Sequence, residues 1–259
     1  GAVLNAARRL LLPRALLGGE DDLVEVALEG GGRSDDIRAG HIRHVAVDLG
    51  AGSGAMALRL QDADAMIRAC DEAGVKLFIV KQNRFNVPVV KARQALDAGR
   101  LGQLVLGTVR VRWCRDQAYY DHDGWRGTFA QDGGVIANQA SHHVDMLGWF
   151  MGPVASVHAR SATALVDIEA EDTAVATVRF RNGALGVIEA TGATRPKDLE
   201  GSLSVLGSGG SIEISGFAVN EIRHWRFVDP TPEDADVLQK YSVNPPNVYG
   251  FGHQAYYEH

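Results

Sequence analysis

Between residues 104 and 215 apolar and polar residues change places over and over in short runs. Leu104 to Trp113 reads L-V-L-G-T-V-R-V-R-W, the alternation of a strand with one face buried. Strand-like runs follow at Val154–Thr163, Thr173–Phe180, Ala184–Ala190, Ser202–Leu206 and Ser211–Ser215. Asn182-Gly183 is a strong hairpin turn, and Gly207-Ser208-Gly209-Gly210 is a second. Successive strands joined by tight turns predict a mainly antiparallel sheet of five or six strands. A sheet with one apolar face needs helices to cover it. The central stretch Gln131 to Gly152 supplies one. Asp132-Gly133-Gly134 opens it as a turn, and Val135, Ile136, Met146, Leu147, Trp149 and Phe150 recur at helical spacing up to Gly152-Pro153.

The first third reads differently. His41 to Leu49 predicts a buried strand that runs into the glycine-rich loop Gly50-Ala51-Gly52-Ser53-Gly54. Residues 61 to 73 predict a helix with Ala63, Met66, Ile67 and Cys70 inward and Gly74 as its cap. Val75 to Val80 is a short apolar run, read as a buried parallel strand ending on Lys81. A further helix runs from Val87 to Ala98, with Pro88 in its first turn. Residues 1 to 40 suggest only a helix at Leu10–Leu17 and a strand at Leu23–Leu28, among glycine- and aspartate-rich loops. The tail from Asp229 has four prolines and no period. The fold class is therefore α/β: a partial Rossmann-like unit over 1–80, then an α+β domain over 81–259 with an open sheet covered by helices.

Composition excludes some partners. A net charge of -6 argues against nucleic acid or an anionic membrane surface. No apolar run reaches the roughly 18 residues that span a bilayer. Cys70 and Cys114 have neither disulfide-framework nor zinc spacing, so a reducing cytoplasm is the expected compartment. The early Arg8-Arg9 and Leu10-Leu11-Leu12 match a secretory leader only weakly.

Chemistry-bearing residues gather in three places. On one predicted helix Asn138 and His142 are four apart and Asp145 lies one turn on, so an amide, an imidazole and a carboxylate share a stripe. A neutral imidazole is the usual side chain for taking a hydroxyl proton near neutrality. Lys81 and Arg84 follow a parallel strand, at the end where open sheets bind ligands. Gly50, Gly52 and Ala55 fit a dinucleotide-binding G-x-G-x-x-A loosely, and Asp48 to Gly54 equally looks like the first motif of S-adenosylmethionine-dependent methyltransferases. Either reading needs an acidic residue after the next strand, and Lys81 stands there. No metal is expected: the adjacent His142 and His143 point about 100° apart on a helix, and His122-Asp123 adds no ligand set.

From Met56 onward the sequence resembles the Gfo/Idh/MocA oxidoreductases. The resemblance rests on M-A-L-R-L-Q-D-A-D-A-M-I, K-Q-N-R-F-N-V-P, W-R-G-T-F-A-Q-D-G-G-V-I-A-N-Q-A-S-H-H-V-D and V-R-F-R-N-G-A-L-G-V-I-E-A. Within the family it is most similar to the bacterial UDP-N-acetyl-2-amino-2-deoxyglucuronate dehydrogenases, in R-W-C-R, K-D-L-E-G-S-L-S and N-P-P-N-V-Y-G-F-G-H-Q-A-Y-Y-E-H. The resemblance implies oxidation of a nucleotide-sugar C3 hydroxyl by NAD, with NADP not excluded. It places the acid/base on His142, with Asn138 where the family's D-x-x-x-H pattern has aspartate. It puts Lys81, Gln82 and Arg84 near nicotinamide and sugar, Trp125 and Arg126 in a loop over the substrate, and Gln139 on its binding surface. It also implies a homo-oligomer through the open sheet face. The family's Glu-Lys-Pro falls on Ser53, Gly54 and Ala55 here, and its opening G-x-G-x-x-G has no counterpart. A disrupted cofactor domain and weak turnover are therefore expected. Two other readings stay open: a methyltransferase acting through residues 48–54, and a non-catalytic sheet domain for sugar binding or assembly.

Overall fold

The computed structural model describes residues 44–47, 60–79, 81–217 and 219–242. The glycine loop with Gly50 and Gly52, the elements expected before residue 41, and the motif at 244–259 lie outside them.

The N-terminal unit is small. Strand β1 (His44–Val47) pairs in parallel with β2 (Lys76–Ile79), with Val45 opposite Leu77. Helix α1 (Leu60–Glu72) connects them, as a parallel pair requires. Gly74 ends α1 at φ 66°, and the Val75 N–H reaches back to the Cys70 carbonyl at 3.0 Å. Met66 and Val75 are buried, with Cys70 partly so. Ile67, expected inward, is 46% exposed. It sits about 100° round the helix from Met66, which holds the buried face alone.

After β2 a 3₁₀ turn, Gln82–Phe85, leads into α2 (Val87–Asp97) with Pro88 in the first turn. Strand β3 (Leu104–Arg112) begins the large sheet. Then come α3 (Gln117–Asp121), α4 (Gly134–Ala137) and α5 (Ser141–Met151). The remaining strands are β4 (Val154–Ala162), β5 (Thr173–Phe180), β6 (Leu185–Thr191), β7 (Glu200–Gly207), β8 (Gly210–Ser215) and β9 (Glu221–Phe227). A short α6 (Val237–Lys240) follows.

These seven strands form one sheet in the order β4-β5-β6-β3-β7-β8-β9. That is one more than the upper expectation, because the sequence showed no strand over Glu221–Phe227. Every pairing is antiparallel except β3 with β6. The Asn182-Gly183 turn joins β5 to β6. Gly183 takes φ 91°, and the Asn182 side chain accepts from the Ala184 N–H and donates to the Met151 carbonyl. One sheet face carries α2 and α5. Val89, Ala92 and Ala95 of α2, and Met146, Leu147, Phe150 and Met151 of α5, pack with Val109, Leu203, Ile212 and Ile214. Gly107 lets α5 approach, since a Cβ there would stand 2.6 Å from Met151 Cγ. The other face is bare: Val105, Val175 and Leu185 are about half exposed.

The single helix expected over residues 135–151 is broken. Asn138, at φ -92° and ψ -86°, ends α4, and α5 starts afresh at Ser141. Asn138 and His142 therefore lie on different elements and share no stripe. His142 and Asp145 do share α5.

Candidate active site

His142 lies across from the turn that follows β2. It projects from the first turn of α5 and is half buried. Gln82, 1% exposed on the turn after β2, brings its Nε2 to 3.5 Å from His142 Nε2. The two side chains are thus within hydrogen-bonding reach of each other. Gln82 Oε1 is buried without a hydrogen-bond partner.

One turn along α5, Asp145 accepts two hydrogen bonds from Arg84, Nε and Nη2 each at 2.7 Å. The Arg84 guanidinium also lies 4.9 Å from the centre of the Trp149 ring. This bidentate pair ties the turn bearing Gln82 to the helix bearing His142. Arg84, expected at the sugar, is engaged in that tie. Lys81 precedes the same turn. Burial pushes its ammonium below the ordinary 10.5, Asp145 draws it back up, and Arg84 pushes it down. The structure thus brings Lys81, Gln82, Arg84, His142 and Asp145 together from two distant stretches of sequence.

A second group lies beyond Gln139. Its Nε2 donates to the Tyr119 hydroxyl at 3.4 Å. Arg126 lies 4.4 Å from the Tyr119 ring centre and 4.7 Å from that of Trp125, and its Nε donates to Asp123 at 2.8 Å. Asn138 turns away from this group. Its amide donates to Asp132 Oδ1, while Asp132 Oδ2 accepts the Gly127 N–H at 2.6 Å. Asp132 is fully buried. Burial raises its carboxyl, and the Gly127, Asn138 and Arg126 contacts lower it. Because the carboxylate fixes the Asn138 N–H₂, the Asn138 Oδ1 is the end left for another donor. Asp132 and Tyr119 were missed in the sequence. Asp132 was read as part of a glycine turn, and only its coming to rest beneath the loop distinguishes it.

His143 is the counter-example to its neighbour. It is 1% exposed and edge-on to Trp113 at 6.0 Å. Burial pushes it down to about 4, with the Gly201 backbone pulling weakly upward. It stays neutral near pH 7 and faces no cleft. Among the described residues no group of three or more His, Cys, Asp or Glu side chains is placed to hold a metal ion.

A helix-backed, open, mostly antiparallel sheet preceded in the chain by a parallel strand pair, with a half-buried imidazole facing the turn after β2, defines a mixed α/β protein. The profile of the GFO/IDH/MocA C-terminal domain matches residues 89–213, and that stretch carries this domain. Among solved structures it is similar to the WlbA dehydrogenase of Chromobacterium violaceum in complex with NADH and UDP-GlcNAcA. The two are 44% identical with a TM-score of 0.73, over 83% of this chain and 59% of that one. The WlbA dehydrogenase of Bordetella pertussis, in complex with the same two ligands, is 48% identical with a TM-score of 0.70, over 74% of this chain and 57% of that one. The myo-inositol 2-dehydrogenase of Thermotoga maritima is 32% identical over 52% of this chain and 40% of its own length. The chain thus spans well under two thirds of each. Among the described residues no helix is long and apolar enough to cross a membrane.

Proposed function

We propose that this chain serves NAD-linked oxidation of a ring hydroxyl on a UDP-N-acetyl amino sugar uronate, at C3, with His142 as the acid/base. The observation that carries the reading is the meeting of Gln82 with His142 at the carboxyl end of β2. There the half-buried imidazole lies one turn from Asp145, whose carboxylate draws on Lys81, at the end where open parallel sheets accept cofactors. The two WlbA structures, which hold NADH and UDP-GlcNAcA, support the choice of cofactor and sugar.

The residues fit a nicotinamide. The orphaned, buried Gln82 Oε1 suits a carboxamide N–H₂, and Lys81 lies alongside. Held there, NAD would supply the hydride acceptor. The chain's own part is to hold the sugar and move the proton. His142 accepts the hydroxyl proton, Asn138 Oδ1 accepts a hydrogen bond from a neighbouring hydroxyl, and Arg84–Asp145 keeps α5 against the Gln82 turn. Lys81 supplies positive charge toward the developing alkoxide. Turnover is slow, because Ser53, Gly54 and Ala55 stand where the family's Glu-Lys-Pro would place a lysine. The division at residue 80/81 falls at the cleft itself, so Lys81 and Gln82 of the second part reach the cofactor. The bare sheet face of Val105, Val175 and Leu185 meets a second copy, which sedimentation of the purified chain would reveal.

The test is NADH formation from NAD and the UDP-sugar uronate. Replacing His142 with Ala should lower the rate roughly 10²- to 10⁴-fold. Equal rates in His142→Ala and the parent would remove the reading.

A further inference from the structure

Two arginines lie over one indole on α5. The Arg84 guanidinium carbon stands 4.9 Å from the Trp149 ring centre, and that of Arg93 stands 5.0 Å from it. Arg84 comes from the turn after β2 and Arg93 from α2, which follows directly. One short stretch of chain therefore grips the far end of the helix that carries His142.

Elementary backbone chemistry explains why the grip falls on Trp149. In an α-helix each carbonyl accepts from the N–H four residues on. For Trp149 that residue is Pro153, which has no N–H, so the carbonyl is left over at the helix end. Arg93 fills the place: its Nη1 donates to the Trp149 carbonyl at 2.6 Å. A cation there also meets the negative end of the helix dipole. The rest of the Arg93 guanidinium is held on its own helix by Asp97, with Nη2 at 2.5 Å and Nε at 3.1 Å. One guanidinium thus fixes Trp149 by its backbone and covers its ring.

Arg84 needs that surface. Its fork to Asp145 is about a third exposed on the arginine side. An ion pair so open to water rarely keeps one geometry by itself. A planar guanidinium laid on an indole is ordered beforehand, with its edge aimed at the carboxylate. Asp145 stands one turn from His142 on the same helix. The contacts run in one line, from Asp97 to Arg93, Trp149, Arg84 and Asp145, and end a turn from the imidazole.

We infer that Trp149, anchored by Arg93, is a positioning residue for His142. Its ring keeps the Arg84 fork on Asp145, and the fork keeps the first turns of α5 where the imidazole meets Gln82. The positioning role rests on the acid/base reading of His142 above.

Urea unfolding of the 259-residue chain reads the fork directly. Arg84→Met, Asp145→Asn and the double variant give the coupling between the two side chains. The cycle is run in the parent, Trp149→Leu, Trp149→Phe and Leu147→Ala. Leu147 is 2% exposed on the same helix and packs towards Gly107 of β3, so its truncation loosens α5 from the sheet side. Trp149→Leu should remove half or more of the coupling. Trp149→Phe should keep most of it, since a phenyl ring still offers a face. Leu147→Ala should keep it while lowering the unfolding midpoint. The Cε1 proton resonance of His142, identified by its absence from His142→Ala, should move in Trp149→Leu and hold still in Leu147→Ala. Should Trp149→Leu fail to fold, Arg93→Gln removes the anchor and leaves the ring, and the coupling should fall there too. A coupling unchanged in Trp149→Leu, or lost as fully in Trp149→Phe or Leu147→Ala, would overturn the inference, and so would a His142 resonance that does not move. None of these measurements needs turnover. NADH formation that survives His142→Ala, with the coupling still lost in Trp149→Leu, would remove the acid/base reading and leave the clamp in place.

Discussion

Sealing His143 inside the domain should make the fold sensitive to mild acid. In the unfolded chain its imidazole titrates near the ordinary 6.5, whereas in the folded chain burial holds it down to about 4. Between those values the unfolded state binds a proton that the folded state refuses, so stability rises with pH across the window. The contribution is complete above about pH 6.5 and is lost progressively as the pH falls towards 4. The difference between 6.5 and about 4, at about 1.4 kcal/mol per pH unit, amounts to about 3 kcal/mol. That is a large share of the 5–15 kcal/mol typical of a domain. His143→Leu keeps a similar volume and removes the titrating ring, at the cost of its weak contact with the Gly201 backbone. It should leave stability at neutral pH within about 1 kcal/mol of the parent. Urea unfolding at a series of pH values would measure both chains. The parent should lose stability between neutrality and about pH 4.5, and His143→Leu should lose about 2 kcal/mol less over the same range. A parent and variant that lose stability in parallel would refute the reasoning, since the acid sensitivity would then arise elsewhere.

Two further outcomes follow from the site's geometry. Arg84→Met and Asp145→Asn should show a coupling of about 1 kcal/mol in a double-mutant cycle, because Arg84 is about a third exposed and solvent screens the pair. Each should lower kcat, by up to roughly 100-fold, more than it raises KM; a change in KM alone would mean that Arg84 touches the sugar instead. Gly134→Ala should destabilise by about 1–3 kcal/mol in thermal unfolding, since φ is 76° and the Glu171 carboxylate occupies the space a Cβ needs. The same carboxylate receives the Ile136 N–H at 3.3 Å. An unchanged melting temperature would show that the α4 start is not held as described.

The alternating runs were legible because β3, β5 and β6 bury every second residue: Ala174, Ala176, Val178 and Phe180 face the helices along β5, and the bounds Thr173–Phe180 coincide with the sequence reading. Strand β9 was not, because Glu221, Arg223, His224 and Arg226 surround only Ile222 and Trp225, and a register shift opposite Glu213/Ile214 breaks the period. Strand β4 was found by its residue types, yet it is exposed along its whole length, which no local pattern reveals. The break between α4 and α5 depends on Asp132 seizing the Asn138 amide from six residues away. Helical spacing cannot register that competition, so Asn138 and His142 were put on one stripe. His142 itself was legible as a residue type beside a carboxylate one turn on. Its partner Gln82 was assigned only through the family resemblance, because their meeting spans 60 residues of sequence.

The position of β3 bears on how the chain acquires its shape. This strand, first of the seven in sequence, lies inside the sheet between β6 and β7, whose residues begin some 80 positions later. The hairpin ladder β4-β5-β6 can close from nearby segments as soon as they are made, and so can β7-β8-β9. The slot for β3 exists only once both ladders are present. Closing it is a long-range step that must wait for most of the polypeptide, and such steps set slow rates. During synthesis Leu104–Arg112 would leave the ribosome with nothing to pair against, its unpaired edges open to stray strands until the ladders arrive.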